Sequence, residues 1–445
     1  MFGKRQALLV LTAALFVSGC GVGENGGEDE VKLEGINDGA LVKGELIDNI
    51  DPATMLSMLQ RSFPTLDNAF GYEAVKIIYN TTNEDGKAIQ ASGLLVIPKP
   101  TEDFLLASAA AGKPYSVSMI CDNHGTIFLD SEAPSNVERS NGLPDYPQAV
   151  AMTGYAGFAA IFPDYIGFGA SKGVAVHPYM LKKASAQASL DMIKASIAFM
   201  EQNGVMLNYQ LYVSGYSQGG YVAMALGEKV EESFPYVDLK GVAPMAGPYN
   251  LEMLADEKLQ LDYTMVYPAF LADLAYAYAS YYDDLNLDDM VVPDSTLFPF
   301  LFDGEHSSVA IHVGLGLADG TTDYGFYTHK AQELFKSTFI SAYNNNIGEG
   351  KALRTHFEQN DVDKWTPKTK VNLIQCVSDE IIPFKETNST YNAMKEKGVD
   401  VVITAIPDAY VPPATPSNPF VHSRCGETAY NLALKWFDDI RRGKE

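Results

Sequence analysis

The chain predicts an α/β fold: a mostly parallel, eight-stranded sheet with helices on both faces and a largely helical cap inserted late in the sequence. Three observations predict it. Apolar, β-prone runs alternate with segments of helical period, the pattern of parallel strands connected by crossover helices. The run at 211–220 ends in Gly-x-Ser-x-Gly and passes straight into Tyr221-Val222-Ala223-Met224-Ala225-Leu226, so strand, sharp turn and helix follow one another directly. Finally, about 120 residues at 249–369 interrupt the alternation and then release it again.

The first residues stand apart from this fold. Lys4 and Arg5 precede an apolar stretch at 7–17, eleven residues long and too short to span a bilayer as a helix. Val17-Ser18-Gly19-Cys20 then resembles the lipobox of bacterial lipoproteins, in which Cys20 becomes the lipidated first residue of the mature chain. Residues 1–19 are therefore expected to be a signal peptide. Residues 20–50, rich in Gly, Glu and Asp, are expected to be a flexible tether from a membrane anchor, outer-membrane or cell-surface, to the domain.

From residue 51 the elements come in order. A short helix is expected near 53–60, then strands at 74–80 and 88–98 flanking the turn signal Asn83-Glu84-Asp85-Gly86 as an antiparallel pair. Further strands are expected at 116–121, 157–163, 211–214, 240–246, 371–377 and 401–406. Between the fourth and fifth, Ala184, Ala188, Met192, Ala195 and Phe199 recur at helical spacing. Eight strands with the Gly-x-Ser-x-Gly turn after the fifth match the α/β-hydrolase plan, with core segments 51–248 and 370–445 around a cap at 249–369. In the cap, Tyr267, Phe270, Leu274, Tyr278 and Tyr281 share one helix face, which suits either packed core or an apolar wall over an active site. Asp283, Asp284, Asp288 and Asp289 are expected to be solvated; their spacing is not that of a calcium loop.

Composition narrows the function. With 47% apolar and 20% charged residues the 445-residue chain is a folded globular protein. A net charge of −24 argues against nucleic acid, which needs clustered Lys and Arg. It also disfavours strongly anionic substrates at long range, although salt screens that term. Beyond Cys20, the cysteines are Cys121, Cys376 and Cys425, so at least one stays free within a single chain. No CxxC or HExxH spacing points to a metal, and none is expected.

The motif chemistry is that of an activated alcohol. A serine is a poor nucleophile until a base takes its proton, and the base needs a third group to orient it. In this fold the chain order is Ser, then acid, then His. Ser217 at the turn is the candidate nucleophile. Asp379, at the end of the seventh expected strand, is the candidate acid, with Glu380 the neighbouring alternative. His422 is the histidine of seven that lies beyond the eighth strand, on a loop with Pro412, Pro413, Pro416 and Pro419, and is the candidate base. The fold would bring Cys376 and Cys425, which bracket this acid and base, near each other. An oxyanion hole needs two backbone N–H donors. Gln218, after the nucleophile, is one candidate; Thr126, in Asn123-His124-Gly125-Thr126 after the third expected strand, is the other. His124 is expected to be a structural hydrogen-bonding residue, and Asp164 part of a turn.

His124-Gly125-Thr126, Pro163-Asp164-Tyr165-Ile166-Gly167-Phe168-Gly169, His177-Pro178-Tyr179 and Gly215-Tyr216-Ser217-Gln218-Gly219-Gly220 together resemble the secretory lipase family. The resemblance covers roughly 72–436 and is strong from 116 to 220; the cap contributes no matching motif. It implies a serine ester hydrolase acting on a small-molecule or lipid ester without metal or organic cofactor. A serine peptidase of the same fold, or a binding lipoprotein that keeps the fold without the chemistry, are the alternatives.

Overall fold

The computed structural model describes residues 38–444 apart from 138, 141–142, 145–146, 319–328 and 416–417. The expected signal peptide, Cys20 and the first part of the expected tether lie outside the described residues. Nine strands make the main sheet: β1 Leu41–Ile50, β2 Gly71–Thr82, β3 Ala88–Lys99, β4 Val117–Asn123, β5 Ala159–Pro163, β6 Leu207–Tyr216, β7 Asp238–Met245, β8 Lys370–Cys376 and β9 Val401–Ile406. Their order is β1-β2-β3-β5-β4-β6-β7-β8-β9. The first four in that order pair antiparallel, and from β5 onward every pair is parallel.

The ninth strand corrects the sequence reading, which had eight strands and a tether running to residue 50. Residues 41–50 instead form β1, an edge strand hydrogen-bonded to β2. The reason it was hidden is physical. Residues 42–46 are exposed, so the strand is held by backbone pairing and shows no alternating apolar pattern.

Alternate residues of the central strands feed opposite faces. Leu95, Met119, Leu211 and Val213 join one core, whereas Leu94, Ile120 and Tyr212 join the other. Helices α1 (Lys182–Gln202) and α2 (Gln218–Ser233) cover the first face with Leu190, Met192, Val222 and Leu226. Between β7 and β8 the cap is helical as expected, and its helices among the described residues include α3 (Leu251–Lys258), α4 (Pro268–Tyr281) and α5 (Gly348–Asn360). Its Leu251, Ala272, Tyr278 and Phe357 belong to the same cluster as the first face, so cap and core share one apolar interior.

After β8, α6 (Phe384–Glu396) adds Met394 to the first face. The last helix, α7 (Val421–Arg441), covers the second face with Ala429, Ala433 and Phe437. A disulfide between Cys376 and Cys425 ties the end of β8 to α7, and Cys121 is free and buried. Among the described residues, no helix is long and apolar enough to cross a membrane.

Candidate active site

Ser217 sits between β6 and α2 with φ +59° and ψ −120°, a left-handed conformation that a side-chain-bearing residue adopts only where its surroundings impose it. Those surroundings are backbone. A Cβ at Gly219 would overlap the carbonyl oxygen of Asn123, and one at Gly215 would overlap that of Gly219. At Gly220 it would press on the carbonyl of Met245, 2.5 Å away. The three glycines thus let β4, β6, β7 and α2 meet closely enough to force the turn, and the turn thrusts the serine side chain out at the carboxyl ends of the strands.

Asp379 and His422 converge on it. His422 Nε2 lies 2.9 Å from Ser217 Oγ, and His422 Nδ1 lies 2.7 Å from Asp379 Oδ2. Because a carboxylate accepts, Nδ1 carries the hydrogen toward Asp379, which leaves Nε2 to accept from the serine hydroxyl. The other oxygen of Asp379 accepts from the N–H groups of Ile381 at 3.0 Å and Ile382 at 2.9 Å, so the carboxylate cannot swing. Asp379 and His422 are both buried.

His422 is not on the proline-rich loop, as the sequence suggested; it is the second residue of α7. Its backbone is held there by Glu380, whose carboxylate accepts from the N–H of Val421 at 3.1 Å and of His422 at 3.4 Å. The neighbour weighed as an alternative acid therefore caps the helix that carries the base, satisfying donors that lack an intrahelical partner. Burial pushes the Glu380 carboxyl upward. Tyr216, next to the serine, donates its hydroxyl to the carbonyl of His422 at 2.6 Å. Nothing in residue spacing could have revealed either contact, since they join segments some 40 and 200 residues apart.

The loop after β4 also reaches Ser217. A Cβ built on Gly125 would stand 3.7 Å from that of Ser217, so this loop passes directly beside the serine. The Thr126 hydroxyl and the Tyr179 hydroxyl are 2.8 Å apart. Gln218 begins α2, where N–H groups have no carbonyl within the helix to receive them. Its side-chain amide donates to His177 Nε2 at 2.7 Å, while His177 Nδ1 donates to the carbonyl of Ile166 at 2.8 Å. Burial lowers the His177 pKa to about 4, so the ring is neutral and can accept from the amide. His124 is equally buried, with Nδ1 2.7 Å from the carbonyl of Gly125 and its ring against Tyr165. Asp164 is buried directly after β5 and accepts from Ser92 at 2.6 Å and from the hydroxyl and N–H of Ser135 at 2.5 and 2.8 Å. The turn expected there begins just after Asp164, at 166–167.

Above the serine, cap and core line an apolar cavity, part of it open to solvent. Ser217 lines it together with Leu254, Tyr267, Phe270, Leu274 and Ile382. The aromatic stripe on α4 thus divides its work. Tyr267, Phe270 and Leu274 face the cavity, whereas Tyr278 is fully buried and donates to the Met180 carbonyl at 3.1 Å. Tyr281 likewise donates to the Val176 carbonyl at 2.6 Å.

Residues 149–290 match the family model described as Secretory lipase, a stretch that contains the Ser217 turn and runs on into α3 and α4 of the cap. No curated protein sequence matches the chain. Among solved structures, the rice cell wall degrading esterase LipA from Xanthomonas oryzae superimposes with a TM-score of 0.74 at 20% identity, covering 92% of this chain and 100% of that one. Candida antarctica lipase A in its closed state does so with a TM-score of 0.55 at 13% identity, covering 89% and 91%. These likenesses show the α/β-hydrolase fold.

Proposed function

We propose, for a chain whose secretory lipase match marks it as an ester-cleaving hydrolase, that cleavage runs through Ser217, His422 and Asp379 by way of an acyl-enzyme. The observation that carries the reading is the continuous hydrogen-bonded chain from Asp379 through His422 to Ser217, at 2.7 and 2.9 Å. His422 Nε2 takes the serine proton as Oγ attacks the ester carbonyl. The imidazolium that results is stabilised by Asp379 and then protonates the departing alkoxide. Water repeats the sequence on the acyl-serine, with His422 again the base. The backbone N–H groups of Thr126 and Gln218 would hold the oxyanion, each contributing about 3 kcal/mol to lowering the barrier. Gly125 beside Ser217 and the His177 bond to Gln218 support that assignment, since both fix backbone close to the serine.

The cavity favours esters with an apolar portion, because Leu254, Phe270 and Leu274 can offer it only dispersion and desolvation. Hydrolysis of nitrophenyl esters from acetyl to dodecanoyl, by the protein and by Ser217→Ala, tests the reading. Loss of roughly 10⁶-fold in kcat on removing the hydroxyl is expected. An unchanged rate in Ser217→Ala would remove the acyl-enzyme, and cleavage of peptides but no ester would move the peptidase reading to the front. We also propose export and lipid anchoring at Cys20, on the lipobox-like 17–20 and the secretory family match. Labelled fatty acid should enter the wild-type chain and not Cys20→Ala.

A further inference from the structure

Among the described residues lining the cavity over Ser217, Lys258 alone carries a cationic group, and none carries a carboxylate. Lys258 ends α3, is only 8% exposed, and its Nζ donates to the hydroxyl of Tyr263 at 3.0 Å while lying 5.1 Å from that ring's centre. Tyr263 also lines this cavity. A second apolar cavity shares Leu251, Leu254, Leu271, Leu274 and Lys258 with the first but not Tyr263, so Lys258 borders both spaces while its partner Tyr263 lines the one containing Ser217.

This arrangement is costly unless something repays it. An ammonium has three donors, and a buried cation is expected to be matched by a carboxylate or by several acceptors. Here a phenol takes one donor, and no carboxylate of a described residue lies within ion-pair distance, even though acidic residues outnumber basic ones 56 to 32 in the chain. The carbonyl ends of α3 add only a partial negative charge. Apart from Ser217, the other side chains lining this cavity are apolar or aromatic, so none of them supplies the missing anionic partner.

Resting on the serine hydrolase reading above, we infer that the Lys258–Tyr263 pair is the recognition site for a carboxylate borne at the far end of the substrate's apolar chain. The substrate class is then an ester whose apolar chain ends in a carboxyl group: ester carbonyl at Ser217, hydrocarbon along Leu254, Phe270 and Leu274, carboxylate on Lys258. The long-range repulsion of the −24 charge does not oppose this, since salt screens it within about 10 Å whereas Lys258 acts at contact.

The test compares paired nitrophenyl esters of equal chain length, one ending in methyl and one in carboxylate, across a series of lengths. The ratio of kcat/KM for carboxylated over neutral ester should peak at one length in the wild type. That ratio should fall by about 10- to 100-fold in Lys258→Met, the worth of a charged hydrogen bond, with the change in KM, and fall less in Tyr263→Phe. A ratio equal in wild type and Lys258→Met, while the neutral esters are still cleaved and Ser217→Ala cleaves none, overturns the carboxylate site and leaves the hydrolase reading standing. If the wild type cleaves neither member of any pair, it is the hydrolase reading that fails. Calorimetric titration with the ω-carboxyl methyl ester in the Ser217→Ala background then decides the Lys258 contact without turnover: weaker binding when Lys258→Met is added upholds it, and equal binding overturns it.

Discussion

The two walls of the site are built on different principles. On the sheet side, Ser217, Asp379 and His422 are fixed by backbone: a turn with φ +59°, two N–H groups on the Asp379 carboxylate, and a helix start capped by Glu380. On the cap side, Tyr267, Phe270 and Leu274 surround the cavity with apolar groups that any similar volume could replace. The comparison teaches where tolerance lies. Chemistry depends on hydrogen-bond directions good to a few tenths of an ångström, whereas an apolar wall depends on volume alone.

The largest expected effect breaks the rigid wall. Asp379→Asn keeps the shape but cannot accept from His422 Nδ1–H without turning its amide, so kcat should drop by about 10⁴-fold with KM little changed. Stopped or steady-state ester hydrolysis measures this directly. A loss of only a few-fold would mean that Asp379 merely packs beside His422.

Next in size is the staple behind that wall. Cys376 lies three residues before Asp379 and Cys425 three after His422, so their disulfide joins the acid and base segments. For a loop spanning a separation of 49 residues, the chain-entropy account gives about 4 kcal/mol of stability. Cys376→Ala with Cys425→Ala should lower the free energy of denaturant unfolding by that order, while the folded protein keeps most of its rate, because Asp379 and Glu380 still hold His422. Loss of activity in a fully folded variant would show that the staple sets the geometry.

The cap side should respond differently. Leu274→Ala enlarges the cavity and should change the preferred acyl length, costing about tenfold or less in kcat/KM for the ester that fits best, and leaving acetyl ester nearly untouched. A uniform loss over all lengths would place Leu274 in the chemistry instead.

The smallest effect concerns the root of the cap. Glu386 accepts from the N–H of Asn250 and Asp361 from that of Leu251, at the start of α3. Burial raises Glu386 to about 8 and Asp361 to about 6. A carboxyl whose folded pKa is raised binds more protons folded than unfolded, so its stabilising contribution is complete below its unfolded value and is lost as pH rises through the folded one. Tm should therefore decline between about pH 4.5 and 8 on account of Glu386, and between about 3.8 and 6 on account of Asp361. Glu386→Gln, neutral throughout, should flatten the upper part of that decline. An identical slope in the variant would show that Glu386 does not contribute.

Much was readable from residue order. Gly215, Gly219 and Gly220 around Ser217 announce a turn that only such residues permit, and strand–turn–helix order then dictates that acid and base follow at the ends of later strands. That order singles out Asp379 and His422 as candidates, because covalent order and local sterics are properties of the chain itself. Tertiary structure decided the rest. β1 shows no apolar alternation, since an exposed edge strand is recognised by the backbone it pairs with. Glu380 and Asp379 are adjacent and chemically alike, so their different duties, capping α7 and orienting His422, follow only from where α7 comes to lie. The same holds for Lys258. One lysine among 32 basic residues acquires meaning when the folding of α3 and α4 over Ser217 removes it from water, because burial, unlike residue identity, is a property of the packed chain.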